Sequence, residues 1–94
     1  MRVVYTILAD DDLLDIWLYI AQDNITAADR MVERLKQRCQ TLGVSPMLGS
    51  KRDDLVTGMR YLIEGNYAIF YRVNQDTVEI LRILHGARDF PTIF

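Results

Sequence analysis

The side chains able to do chemistry gather in the C-terminal part of the chain. Arg60, Arg72, Arg82 and Arg88 fall there, with the only histidine, His85. A guanidinium offers paired N–H donors that fit a carboxylate or a phosphate in bidentate fashion. His85 could move a proton near neutral pH. Together these groups could grip an anion or a polar partner. The plainer reading is that Arg60 and Arg88 pair with Glu64, Glu79 or Asp89, and that His85 closes a strand end. Cys39 is the only cysteine. It lies on an apolar helical stripe and reads as an inert core thiol. No intrachain disulfide can form, so a reducing, cytoplasmic setting is expected. One His and one Cys do not make a zinc site. No metal and no cofactor is expected.

The net charge of −2 hides an asymmetry. Residues 1–29 carry Arg2 against Asp10, Asp11, Asp12, Asp15, Asp23 and Asp29, and the rest of the chain is net positive. An acidic chain is a poor nucleic-acid binder overall, so no sequence-specific contact is expected, although a local basic patch could act. No apolar run approaches the ~18 residues a membrane helix needs. The start, Met1-Arg2-Val3-Val4-Tyr5, lacks the apolar region of a signal peptide.

The elements that must position these groups follow from periodicity. Residues 2–8 are β-branched and aromatic, which predicts a strand. Asp10–Asp12 read as the N-cap and first turn of a helix running to about Gln22, with Ala9, Leu13, Ile16, Trp17 and Ile20 on one face. Thr26 and Asp29 resemble a capping box for a second helix. Ala28, Met31, Val32, Leu35, Cys39 and Leu42 form its stripe, and Gly43 its C-cap. The short link between the helices predicts an antiparallel hairpin. Residues 45–58 read as loop. Residues 59–64 and 67–73 flank Gly65-Asn66, a strong hairpin signal. A last strand is expected over 77–84. The register between the last two strands stays open, because the Asn74–Asp76 turn could carry a bulge.

The expected architecture is α+β, a single two-layer domain over 1–94 in the order β-α-α-β-β-β. A helical hairpin packs on a four-stranded antiparallel sheet, with the first strand beside the last. Arg60, Leu62, Ile69 and Tyr71 share one sheet face. Met59, Tyr61, Ile63, Ala68 and Phe70 share the other. Two helices cover one face only. The other is left for a partner, or the tail with Phe90, Ile93 and Phe94 folds over it.

Five motifs in order resemble the RelE/ParE toxin superfamily, and its ParE-like branch above all. They are Asp12-Leu13-Leu14-Asp15-Ile16-Trp17-Leu18-Tyr19-Ile20-Ala21 in the first helix, Ser45-Pro46-Met47-Leu48-Gly49, Gly58-Met59-Arg60, Tyr67 to Val73, and Val78 to Asp89. The resemblance spans the chain and implies the fold just derived. It further implies a toxin of a type II toxin–antitoxin system that inhibits DNA gyrase, of the kind that stabilises plasmids. A cognate antitoxin, ParD-like or other, would neutralise it through a C-terminal segment that folds on binding. Leu14, Trp17, Leu18, Ile69 and Tyr71 are the antitoxin-binding candidates. Arg60, Arg82, His85, Arg88 and Phe94 are the target-contact candidates.

The RelE-like branch cuts messenger RNA on the ribosome, which requires convergent cations and a proton-transfer group. Its catalytic positions fall on Arg60, Leu62, Ala68, Arg88 and Phe94, so three of the five lack the required group. A ribonuclease here would rest on Arg60, His85 and Arg88. A third reading is a non-toxic module that only binds the antitoxin.

Overall fold

A single residue, Thr6, separates strand β1 (Arg2–Tyr5) from helix α1 (Ile7–Ala21) in a computed structural model that describes all 94 residues. Thr6 is the α1 N-cap, and its Oγ1 accepts from the Ala9 N–H at 3.1 Å. The helix therefore starts before Asp10–Asp12, and those residues are not its cap. Asn24, not Thr26, caps α2 (Ile25–Val44), accepting from the Ala27 N–H at 3.0 Å. The helices form the expected hairpin. Gly43 lies inside α2 and does not end it; a Cβ there would come within 2.6 Å of the Met1 carbonyl oxygen. This glycine serves the close approach of β1 to α2.

After a two-residue strand β2 (Ser50–Lys51) come β3 (Met59–Glu64), β4 (Tyr67–Asn74) and β5 (Thr77–His85), and a short helix α3 (Phe90–Ile93). The sheet has five strands in the order β1-β5-β4-β3-β2. β2 was hidden in sequence because two residues carry no periodicity. β1 runs parallel to β5, against the antiparallel pairing expected. The reason is the direction of α1. With one connecting residue it continues onward from β1, meeting first Ile80 through the Thr6 N–H and then Ile83 through Asp12. Only α2 turns back, ending beside Met1. The connection from α2 to β3 reverses the chain a second time, so β3 runs the same way as β1, and the two antiparallel steps through β4 leave β5 parallel to β1.

The Gly65-Asn66 hairpin stands as read, with Gly65 at φ +59°. The register irregularity lies within β5 and not at the turn. Phe70 faces Arg82 and Tyr71 faces Ile80, so Leu81 is an extra residue. Inward residues consequently switch phase. Val78, Ile80 and then Ile83 join the cluster beneath the helices, while Leu84 joins the other.

Beneath the helices, Ala9, Leu13 and Ile16 of α1 and Leu35, Cys39 and Leu42 of α2 meet Ile69, Tyr71, Val78, Ile80 and Ile83. On the opposite face the tail folds over the sheet. Phe90 and Phe94 each place their ring 4.8 Å from Phe70, which is fully buried. Burial pushes the Cys39 thiol up from its ordinary 9.0 to about 11. A raised folded pKa means that this group's contribution is intact below about pH 9 and fades as pH rises through about 11. A thiol reagent at pH 7.5 should accordingly label Cys39 only after denaturation. Rapid labelling of the native protein would contradict its burial.

Candidate functional site

α1 places Asp12 in phase with Ala9 and Ile16, and so on its buried side. Its carboxylate accepts from Arg82 Nε and Nη2, both at 2.8 Å, and from the Ile83 backbone N–H at 2.9 Å. β1 covers β5 only as far as Ile80. Asp12 and the Thr6 hydroxyl, which donates to the Leu81 carbonyl at 2.9 Å, close the next part of that edge. Arg82, expected to contact a target, is instead held in this bidentate pair. Asp12 read as a helix cap from sequence; its helical phase was the signal that it belongs to the interior.

Tyr71 and Ile69, expected to face the antitoxin, are fully buried under the helices. Both point to the helix-covered face, which leaves no room for a partner. The Tyr71 hydroxyl donates to the Pro46 carbonyl and accepts from the Gly49 N–H, each at 2.8 Å. It thereby pins the Pro46–Gly49 loop. A Cβ on Gly49 would meet the Tyr61 carbonyl at 2.6 Å and the Tyr71 hydroxyl at 2.7 Å. Arg60 donates to the Gly49 carbonyl at 2.7 Å, so it too serves this loop. The carboxylates expected to pair with Arg60 or Arg88 are engaged elsewhere. Glu64 bonds Arg34 and Arg38 of α2, and Glu79 bonds Arg72. Phe94, expected to reach a target, packs on Phe70.

His85 and Arg88 are exposed, and Arg88 makes no ion pair. Both line a groove of about 650 Å³ at the end of β5, together with Asp15 and Tyr19 of α1 and Tyr67 of β4. His85 Nδ1 accepts from the Ala87 N–H at 3.1 Å, which leaves the proton of a neutral ring on Nε2. Tyr67 meets the ring edge-on, with centroids 5.6 Å apart. The outer face of α1 exposes Leu14 and Leu18. Trp17 is half-buried, and its Nε1 donates to Asp29 at 2.7 Å, locking α1 to α2. No cluster of three or more possible metal ligands is present.

The family model described as the ParE toxin of the type II toxin–antitoxin system parDE matches residues 3–90. The chain belongs to this ParE toxin family. Toxin ParE3 of Caulobacter vibrioides is 31% identical over 86 residues, 90% of this chain and 86% of that protein. Toxin RelE2 of the same organism is 38% identical over 87 residues, 93% of this chain and 97% of that protein. Among solved structures, a chain of the chromosomal ParDE TA system from P. aeruginosa superposes with a TM-score of 0.76 at 25% identity. The match covers 90% of this chain and 95% of that one. The helical pair on an antiparallel core of strands is thus the fold of this family, with β1 and β2 bringing the sheet here to five strands.

Seen as a ParE-family toxin, the chain divides its candidate residues among separate places. Arg60 and Leu62 pair with Tyr71 and Ile69 and share the helix-covered face. Ala68 and Phe94 belong to the apolar cluster on the other face. Arg88 lies beyond the far end of β5 from Arg60. The β4 positions that pair with His85 and Arg60, Tyr67 and Tyr71, are four residues, or about 13 Å, apart.

Proposed function

We propose that this toxin acts by binding DNA gyrase, not by cutting RNA, and that a cognate antitoxin neutralises it. The observation that supports this reading is the scatter of the five positions where ribonuclease chemistry would sit. Cleavage at a 2′-hydroxyl needs cations and a proton-transfer group around one phosphate. Here Leu62 and Ala68 are apolar, Phe94 packs in a core, and Arg60 is spent on loop carbonyls. His85 and Arg88 remain as an exposed pair suited to a protein contact.

The antitoxin has a matching place. Leu14 and Leu18 stand out from α1, away from the groove that holds His85 and Arg88. Primer extension on messenger RNA after induction tests the choice of mechanism. Growth arrest without ribosome-dependent in-frame cuts is expected. Replacing His85 and Arg88 together by alanine should lower toxicity about tenfold or more through lost contact energy, with the fold intact. In-frame cuts that vanish in those variants would overturn the proposal in favour of a ribonuclease. Normal growth at high soluble yield would overturn it in favour of a non-toxic module.

A further inference from the structure

The chain is net negative, yet one edge of it is positive. Lys51 of β2 sits opposite Arg60 of β3, so both side chains leave the sheet on the side of the helices. Glu64, four residues along β3, leaves on the same side. It reaches α2, where it meets Arg34 at 2.6 Å and Arg38 at 3.3 Å. Arg30 lies one turn before Arg34, so Arg30, Arg34 and Arg38 follow one another at about 6 Å along the helix. Arg30 and Lys51 are exposed and enter no ion pair. Arg60 bonds only to the Met47 and Gly49 carbonyls, which leaves its charge uncompensated. Glu64 is the only carboxylate that meets any of these cations, and it cannot satisfy two guanidiniums. The Arg34 side chain stays 54% exposed, and Arg38 Nε makes no hydrogen bond.

We infer that this cationic edge, formed by α2, β3 and β2, lies against the phosphate backbone of the DNA that gyrase holds, without reading its sequence. This rests on the reading of the chain as a gyrase-binding toxin and adds a second partner to it. Two physical arguments select the occupant. A row of cations along a helix and a strand edge matches a backbone that carries one charge per phosphate, and such contacts position a protein on DNA. A protein partner would instead need apolar or aromatic anchors at the centre of the contact, where charged residues are depleted. The edge offers none: Leu62, between Arg60 and Glu64 on this face, packs into the core. The placement also leaves the protein contact free. His85 is on β5, and β4 separates β5 from β3, so the two contacts do not compete for one surface.

The test uses the whole toxin and a fluorescent DNA duplex of about 20 base pairs and mixed sequence, followed by anisotropy without gyrase. At about 50 mM salt the toxin should bind with a Kd of about 10–100 µM, and log K should fall against log salt with a slope of about −3 to −4. Arg30→Glu with Lys51→Glu changes two exposed, unpaired positions, so the circular dichroism should stay that of the parent. Binding should weaken at least about tenfold and the slope should flatten by about 2. Arg2→Glu, on β1 at the opposite edge of the sheet, should change the affinity by less than about threefold, because screening confines the effect to nearby charges. In a gyrase supercoiling assay the double variant should be at least about fivefold less potent than the parent. No DNA binding by the parent, or an equal loss in Arg2→Glu, would overturn the inference. So would full potency of the double variant on gyrase, or binding at least about tenfold tighter to duplex RNA than to DNA. Stopped supercoiling without DNA binding would remove this inference and leave gyrase as the target. DNA binding that needs Arg30 and Lys51, with supercoiling undisturbed, would keep the DNA surface and remove gyrase.

Discussion

Asp12→Ala should destabilise the toxin by about 3–5 kcal/mol, because it leaves the mostly buried Arg82 charge without its partner. The same change orphans the Ile83 N–H, whose acceptor is the Asp12 carboxylate. Arg82→Ala removes the other partner but leaves that backbone bond in place. Its cost should be smaller, about 2 kcal/mol, because one charge-assisted hydrogen bond to Asp12 survives. Urea and thermal unfolding of the two variants check the order. A chain of this size loses roughly 4–8 °C of Tm per kcal/mol, so Asp12→Ala should melt at least about 12 °C lower. Equal losses, or a loss under about 1 kcal/mol for Asp12→Ala, would mean that Asp12 does not close the β5 edge.

Phe70→Ala should cost a further class of stability, about 3–5 kcal/mol, as a large-to-small change at a fully buried position. Its ring is the common neighbour of Tyr61, Phe90 and Phe94. α3 is four residues long, and the side chain of its N-cap, Asp89, accepts from the Thr92 hydroxyl but from no backbone N–H. So short a helix has little stability of its own and depends on packing. Losing Phe70 should therefore free the tail as well as weaken the core. Limited trypsin digestion should cut after Arg88 much faster in the variant than in the parent. An unchanged cutting rate would show that the tail is held by something other than Phe70. The stakes are functional, because Ala68 and Phe94, two of the positions where a ribonuclease relative would need polar groups, lie in this same cluster.

Much of this fold was legible in the sequence where local signals and packing agree. Gly65-Asn66 needed a positive φ at Gly65 and sat between two β-prone runs, so the hairpin and its two faces followed. The helix stripes ending in Cys39 and Leu42 were equally plain. The failures share a cause: they depend on which element continues in which direction. Thr6 looked like part of a strand, yet as an N-cap it sends α1 onward from β1 and makes the β1–β5 pairing parallel. Gly43 matched a C-cap by type, but it is there because another backbone comes close.

The candidate site was less legible than the fold. Arginine reads the same in sequence whether it holds a target or a neighbour. Arg82 found Asp12, 70 residues away, and Arg60 found the Gly49 carbonyl. No spacing rule connects such pairs. Ile69 and Tyr71 were assigned correctly to a face but wrongly to a surface, because alternation gives the side of a sheet and not what lies over it. Leu14 and Leu18, named as antitoxin-binding candidates on the family resemblance, do lie exposed on α1.

Engagement of gyrase is the proposed mode of action of this toxin. Purified toxin added to gyrase, ATP and relaxed plasmid tests it most directly. Supercoiling should stop and cleaved plasmid should accumulate with gyrase attached, and His85→Ala with Arg88→Ala should weaken both effects. Undisturbed supercoiling at a toxin excess, with in-frame messenger RNA cuts in a ribosome assay run on the same preparation, would contradict it.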